Sequence, residues 1–179
     1  LSIRRQRQMC IRDSRIPTLV VSNRGTVLAI CEGRKDSRQD LSNVHLMVKR
    51  SSNGGKTWGP LQLIYKEEGG EKDVTCGNPS PVVDEQTGEV HLIFCRDRDR
   101  VFVTTSSDDG NTWNPPREIT SSVRKPDYDL YWSGPGHGIQ LKQGPNAGRL
   151  LIPCHQHRIR PTKGFRAHTV SYTHLRAHE

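Results

Sequence analysis

Two copies of one eight-residue pattern, 55 residues apart, constrain this 179-residue chain more than anything else in it. Ser51-Ser52-Asn53-Gly54-Gly55-Lys56-Thr57-Trp58 and Ser106-Ser107-Asp108-Asp109-Gly110-Asn111-Thr112-Trp113 share Ser-x-Asp/Asn-x-Gly-x-Thr-Trp. An Asp or Asn side chain closes a turn on its own backbone and Gly supplies a positive φ, so each copy reads as a hairpin turn between the strand-like runs that flank it.

The first period predicts strands over Pro17 to Ser22, Thr26 to Cys31, Val44 to Lys49 and Leu61 to Tyr65, with a turn at Asn23-Arg24-Gly25. In the second they fall at Pro81 to Val83, Val90 to Cys95, Val101 to Thr105 and Glu118 to Thr120. A third begins with Gly138 to Leu141 and Arg149 to Pro153. Apolar residues alternate or run in short β-branched blocks, and only the two ends of the chain could pass for helix. Four short antiparallel strands per repeat is the pattern of a β-propeller blade. The expected fold is therefore all-β, a propeller of which about two and a half blades are present: 15–66, 77–120 and the start of a third at 134–157. An open fan leaves a blade face uncovered, so the chain reads as part of a larger propeller.

Composition narrows the function. The formal charge of +8 invites a nucleic-acid partner, but Arg4, Arg5, Arg7 and Arg12 against Asp13 place +3 of it in the first fourteen residues. Elsewhere the signs interleave, as in Arg96-Asp97-Arg98-Asp99-Arg100, a solvated face and not a phosphate track; no nucleic-acid partner is expected. No window reaches the roughly 18 apolar residues of a membrane span. Residues 1–14 and 169–179 resemble translated sequencing adapters and are expected to be non-native read-through flanking a native stretch of 15–168. Cys10, Cys31, Cys76, Cys95 and Cys154 form no CxxC pair, which argues against a zinc or disulfide framework, and Cys31 and Cys95 read as small buried hydrophobes. His155 and His157 share a strand face without a visible third ligand, so no metal site is assigned.

The turn pattern is that of an Asp box. Together with Arg15-Ile16-Pro17, Glu32-Gly33-Arg34, Gly77-Asn78-Pro79-Ser80-Pro81 and Gly134-Pro135-Gly136-His137-Gly138-Ile139-Gln140-Leu141, it makes Arg15 to about His157 resemble an exo-α-sialidase of the cellular and bacterial type. That resemblance implies a six-bladed propeller, which at this period needs roughly 330 residues. It also implies retaining hydrolysis of terminal sialic acid from glycoproteins, glycolipids or oligosaccharides, with a sialylated glycoconjugate as partner and no cofactor. Family members occur in secreted or periplasmic, lysosomal and cytoplasmic settings.

By the same resemblance Arg15 is the first of three arginines that grip the sugar carboxylate, a task suited to a planar fork of donors. Asp40 is the acid/base, with Asp36 on the same loop as competitor, since such loops vary in length. Glu32, Arg34 and Asn78 line the pocket near the sugar's 4-hydroxyl. From the residues alone, Glu32 and Arg34 could equally be a strand-end ion pair and Asn78 a turn residue before Pro79. The family's tyrosine nucleophile, its activating Glu and the other two arginines lie in later blades. Tyr65, Tyr128, Tyr131 and Tyr172 do not stand in that context, so the chain alone is expected to be inactive. The alternative is a non-catalytic propeller of this type that binds glycans or a protein; a third reading is a glycosidase of different specificity on the same propeller.

Overall fold

A computed structural model describes residues 13–36, 38–67, 74–124, 130–159 and 166–175. Three four-stranded antiparallel sheets follow one another along the chain. The first orders β1 (Asp13–Val21), β2 (Val27–Arg34), β3 (Val44–Ser51) and β4 (Gln62–Tyr65) as consecutive neighbours. The second does the same with β5 (Cys76–Val83), β6 (Val90–Arg96), β7 (Arg100–Ser106) and β8 (Arg117–Glu118). In the third, β11 (Leu150–Ile159) pairs on one side with β12 (Arg166–Leu175), and on the other with β9 (Leu130–Ser133) and then β10 (Ile139–Gln140). These are propeller blades, as the repeat predicts.

Two expectations are corrected. Thr120–Val123 form a single helical turn, α1, whereas the sequence pattern places Thr120 in the last strand of the second repeat. The C-terminal region, the one described end that could pass for helix, is strand. Arg166–Leu175 pairs with β11 along its full length, from Ile159↔Arg166 to Leu150↔Leu175. The run His168-Thr169-Val170-Ser171-Tyr172-Thr173 is β-branched and aromatic, which favours a pleated surface over a helix. The segment expected to be read-through thus contributes residues 169–175 to β12; the N-terminal one lies outside the described residues except for Asp13 and Ser14, which open β1.

The core lies between blades. Val90, Leu92 and Phe94 of β6 pack toward Leu28, Ile30, Leu46 and Val48 of the first blade. Their alternating neighbours Ile93 and Cys95 pack toward Tyr131, Leu150, Ile152 and Cys154 of the third. β6 is therefore buried on both faces, and each fully buried Leu, Val or Phe contributes about 1.5–3 kcal/mol of transfer free energy.

The repeated turns do what their pattern predicts. In the second, the Thr112 amide and hydroxyl donate to the two oxygens of Asp108 (2.8 and 2.7 Å) and the Gly110 amide donates to Ser106 Oγ at 2.9 Å. In the first, the Thr57 amide donates to Asn53 Oδ1 and the Gly55 amide to Ser51 Oγ, both at 2.9 Å, while the hydroxyl bond is reversed, with Asn53 Nδ2 donating to Thr57 Oγ1 at 2.7 Å. Gly110 has φ +72°, and a Cβ there would run into the buried Leu28 side chain of the first blade, so this turn also joins two blades. Arg50 strengthens the joint by donating to Asp109 O and Asn111 Oδ1, both at 2.8 Å.

Candidate active site

The first strand of every blade is interrupted at the same level. Register shifts fall between Arg15 and Thr18 in β1 and between Gly77 and Ser80 in β5, and the third blade breaks between β9 and β10. At these breaks Ile16 (φ 50°), Asn78 (φ 55°) and Gly134 (φ 69°) hold positive φ. Glycine and asparagine tolerate this readily; for β-branched Ile16 it is strained, as backbone at functional sites often is. All three bulges face one cleft of about 300 Å³, walled also by Glu32, Arg34 and Asp40 from the first blade, Cys95 and Arg98 from the second, and Trp132 and His155 from the third.

Arg34 organises one wall. It is only 2% exposed, and its Nη2 donates to Glu32 Oε2 at 3.0 Å and to Asp40 Oδ1 at 2.9 Å while Nη1 donates to the Arg38 carbonyl at 2.6 Å. Burial works against its charge, but Glu32 and Asp40 outweigh that and raise its pKa above the ordinary value. The bond to Arg38 folds the loop after β2 back on itself, which carries Asp40, 66% exposed at its side chain, to the mouth of the cleft. The other oxygen of Glu32 accepts the Asn78 amide at 2.9 Å, so the first two blades meet through this carboxylate.

Of the residues expected from sequence, Glu32, Arg34, Asp40 and Asn78 converge in the cleft. The alternative reading of Glu32 and Arg34 as an ion pair also holds, so one pair both ties the wall and lines it. Arg15 stands opposite Glu32 in register, but its half-exposed guanidinium turns to Asp13 (Nε to Oδ2, 2.8 Å) and does not line the cleft. Asp36, the competitor to Asp40, accepts from Asn43 Nδ2 at 3.2 Å at an exposed position outside the lining.

Among the tyrosines, Tyr65 donates to Glu67 at 2.8 Å, and burial with that bond pushes its hydroxyl up to about 12; Tyr131 is wholly buried in the core. Tyr128 lies outside the described residues. Cys95 is buried as expected, with its thiol pushed up to about 11 by burial, whereas Cys31 is half-buried. His155 faces the cleft; His157 pairs through its backbone with Leu130 on one side and His168 on the other.

Sequence reasoning missed Arg98 and Trp132. Arg98 belongs to the charge run read as a solvated face, yet its guanidinium lies 3.6 Å from Asp40 Oδ2 and 5.6 Å from the Trp132 ring centre. Two consecutive positive φ values, 51° at Asp97 and 67° at Arg98, shape the hairpin that presents it, and no local sequence signal encodes them.

A family model described as BNR repeat-like domain matches residues 25–177. The chain belongs to that family. Its relatives include an exo-alpha-sialidase of Aspergillus fumigatus, 30% identical over 78% of this chain and 40% of the relative, and Sialidase-4 of Mus musculus, 30% identical over 86% of this chain and 35% of the relative. Among solved structures, the Hadza microbial sialidase Hz136 superposes with a TM-score of 0.77 at 23% identity, over 89% of this chain and 35% of its own. Trypanosoma rangeli sialidase in complex with sialic acid gives 0.69 at 18% identity, over 91% and 29%. This BNR-repeat chain therefore has the sialidase propeller fold and spans well under half the length of these relatives.

Proposed function

We propose that the protein to which this chain belongs is a retaining exo-α-sialidase that removes terminal sialic acid from glycoconjugates, with Asp40 as its acid/base. The observation that carries this reading is the delivery of the Asp40 carboxyl to the mouth of a cleft at the convergence of three strand breaks, beside the buried Glu32–Arg34 pair. In the first step Asp40 gives its proton to the glycosidic oxygen as the bond to the anomeric carbon breaks, while a tyrosine oxygen from a later blade bonds to that carbon and passes its own proton to the activating Glu. In the second, Asp40 takes a proton from water as the water oxygen attacks the same carbon, and the tyrosine departs with its proton returned by the Glu. A tyrosine in place of a second carboxylate suits an anionic sugar. Arg15, one residue from Ile16 in the cleft wall, would leave Asp13 for the substrate carboxylate, and Arg34, Glu32 and Asn78 would meet the sugar's hydroxyls.

The test separates proton donation from binding by changing the leaving group in the complete protein. General acid help is typically worth about 10² to 10⁴ in rate and matters most for a basic departing oxygen. Asp40→Ala should cut kcat/KM steeply on sialyl-lactose and much less on an aryl sialoside, whose phenolate leaves without protonation. Asp36→Ala should leave both near wild type. Leaving-group dependence in Asp36→Ala and none in Asp40→Ala would assign the acid to the other carboxylate.

A further inference from the structure

We propose that Arg98 is a positioning residue for Asp40, supplied across the blade boundary; this rests on the reading of Asp40 as the acid. Arg34 bonds only to Oδ1, and among the described residues this is the one hydrogen bond that holds the exposed carboxyl, which can turn about it. Arg98 approaches the second oxygen, Oδ2, from the second blade, so the two guanidiniums fix the plane of the carboxyl between them.

An ordinary surface ion pair would be held by two flexible side chains and would order little. Arg98 is not mounted that way. Its hairpin is tied to the connector before β5 by the Thr75 amide donating to Asp97 Oδ1 at 2.9 Å and the Asp97 amide donating to Thr75 O at 3.0 Å. On the other side the Tyr131 amide of the third blade donates to the Arg98 carbonyl at 3.1 Å. The Trp132 ring then limits where the guanidinium can point. Two non-glycine residues at positive φ, each unfavourable alone, persist because these contacts over-determine the turn. Three blades thus aim one cation at one carboxylate oxygen.

The pair itself is solvent-accessible, with side chains 31% and 66% exposed, so its loss should hardly change stability; its effect should appear in the proton-transfer step. In the complete protein, Arg98→Ala should lower kcat/KM on sialyl-lactose roughly 10-fold, a fraction of what the acid is worth, and leave an aryl sialoside within about twofold. Arg98→Lys, which restores a cation without the planar fork, should recover part of the loss. In an Asp40→Ala background Arg98→Ala should have no further effect on sialyl-lactose, because nothing remains to be positioned. Equal losses on both substrates, or a full additional loss in the Asp40→Ala background, would overturn the proposal while leaving Asp40 as the acid. Absence of leaving-group dependence in Asp40→Ala itself would instead remove the reading beneath it.

Discussion

Thr75 and Ser42 hold one another through a single hydroxyl: Thr75 Oγ1 donates to the Ser42 carbonyl at 2.8 Å and accepts the Ser42 amide at 3.1 Å. Ser42 ends the loop that carries Asp40, and the Thr75 backbone holds the hairpin that carries Arg98. Both residues are buried, so neither bond is easily replaced by water.

Thr75→Val keeps the shape and removes the hydroxyl. Two buried backbone groups of Ser42 lose their partner, and an unsatisfied buried group costs about 1–3 kcal/mol. We expect a loss of stability in that range in denaturant unfolding, together with lower kcat/KM on sialyl-lactose. Thr75→Ser, which retains the hydroxyl, should recover most of both. If Thr75→Val unfolds at the wild-type denaturant concentration, the clamp has no energetic role.

The two turn motifs differ at one position in a way that pH can expose. Burial pushes the Asp108 carboxyl up, but donors from Thr112 and Ser106 outweigh it and hold the group down to about 2, against 3.8 for an ordinary Asp. A depressed folded-state pKa contributes stability that is present above the unfolded value and is lost as pH falls through the folded one. Asn53, in the equivalent place, has no proton to take up and donates to Thr57 Oγ1 at 2.7 Å instead. Asp108→Asn should therefore lower stability near neutral pH, and its difference from wild type should shrink between pH about 4 and about 2. Thermal melts across that range measure it; parallel profiles for the two proteins would show that Asp108 does not titrate with unfolding.

The blades were legible because their signals are local. Alternation marks β2, β3, β6 and β7, and the turn motif fixes the hairpin geometry around it. The strand β9 was not, since Leu130-Tyr131-Trp132-Ser133 offers four residues and no flanking hairpin turn; its existence depends on β11 lying beside it. The same distinction runs through the site. Glu32 and Arg34 sit two residues apart on one strand face, and Asp40 follows on the next loop, so a short motif contains them. Arg98 and Trp132 reach the cleft only through the left-handed backbone at 97–98 and the packing of the third blade on the second, relationships that span blades. Arg98 consequently reads in sequence as one more charge in an alternating run.

Gly77 supplies a probe of the Glu32 carboxylate that leaves its charge in place. A Cβ at this position would stand 2.5 Å from Glu32 Oε1, the oxygen that accepts the Asn78 amide. Gly77 does not have positive φ, so alanine there adds no left-handed strain and acts through the clash alone. The buried carboxylate must shift, and with it the Asn78 bond and the Arg34 pair that shares it. Overpacking of this kind costs about 1–3 kcal/mol in a well-packed site. Because Glu32 is assigned to the sugar and not to the departing group, Gly77→Ala should depress kcat/KM on sialyl-lactose and on an aryl sialoside by similar factors, in contrast to Asp40→Ala. A loss confined to sialyl-lactose would mean that the displacement reaches proton transfer through Arg34 and Asp40, and wild-type rates on both substrates would remove Glu32 from the binding site altogether.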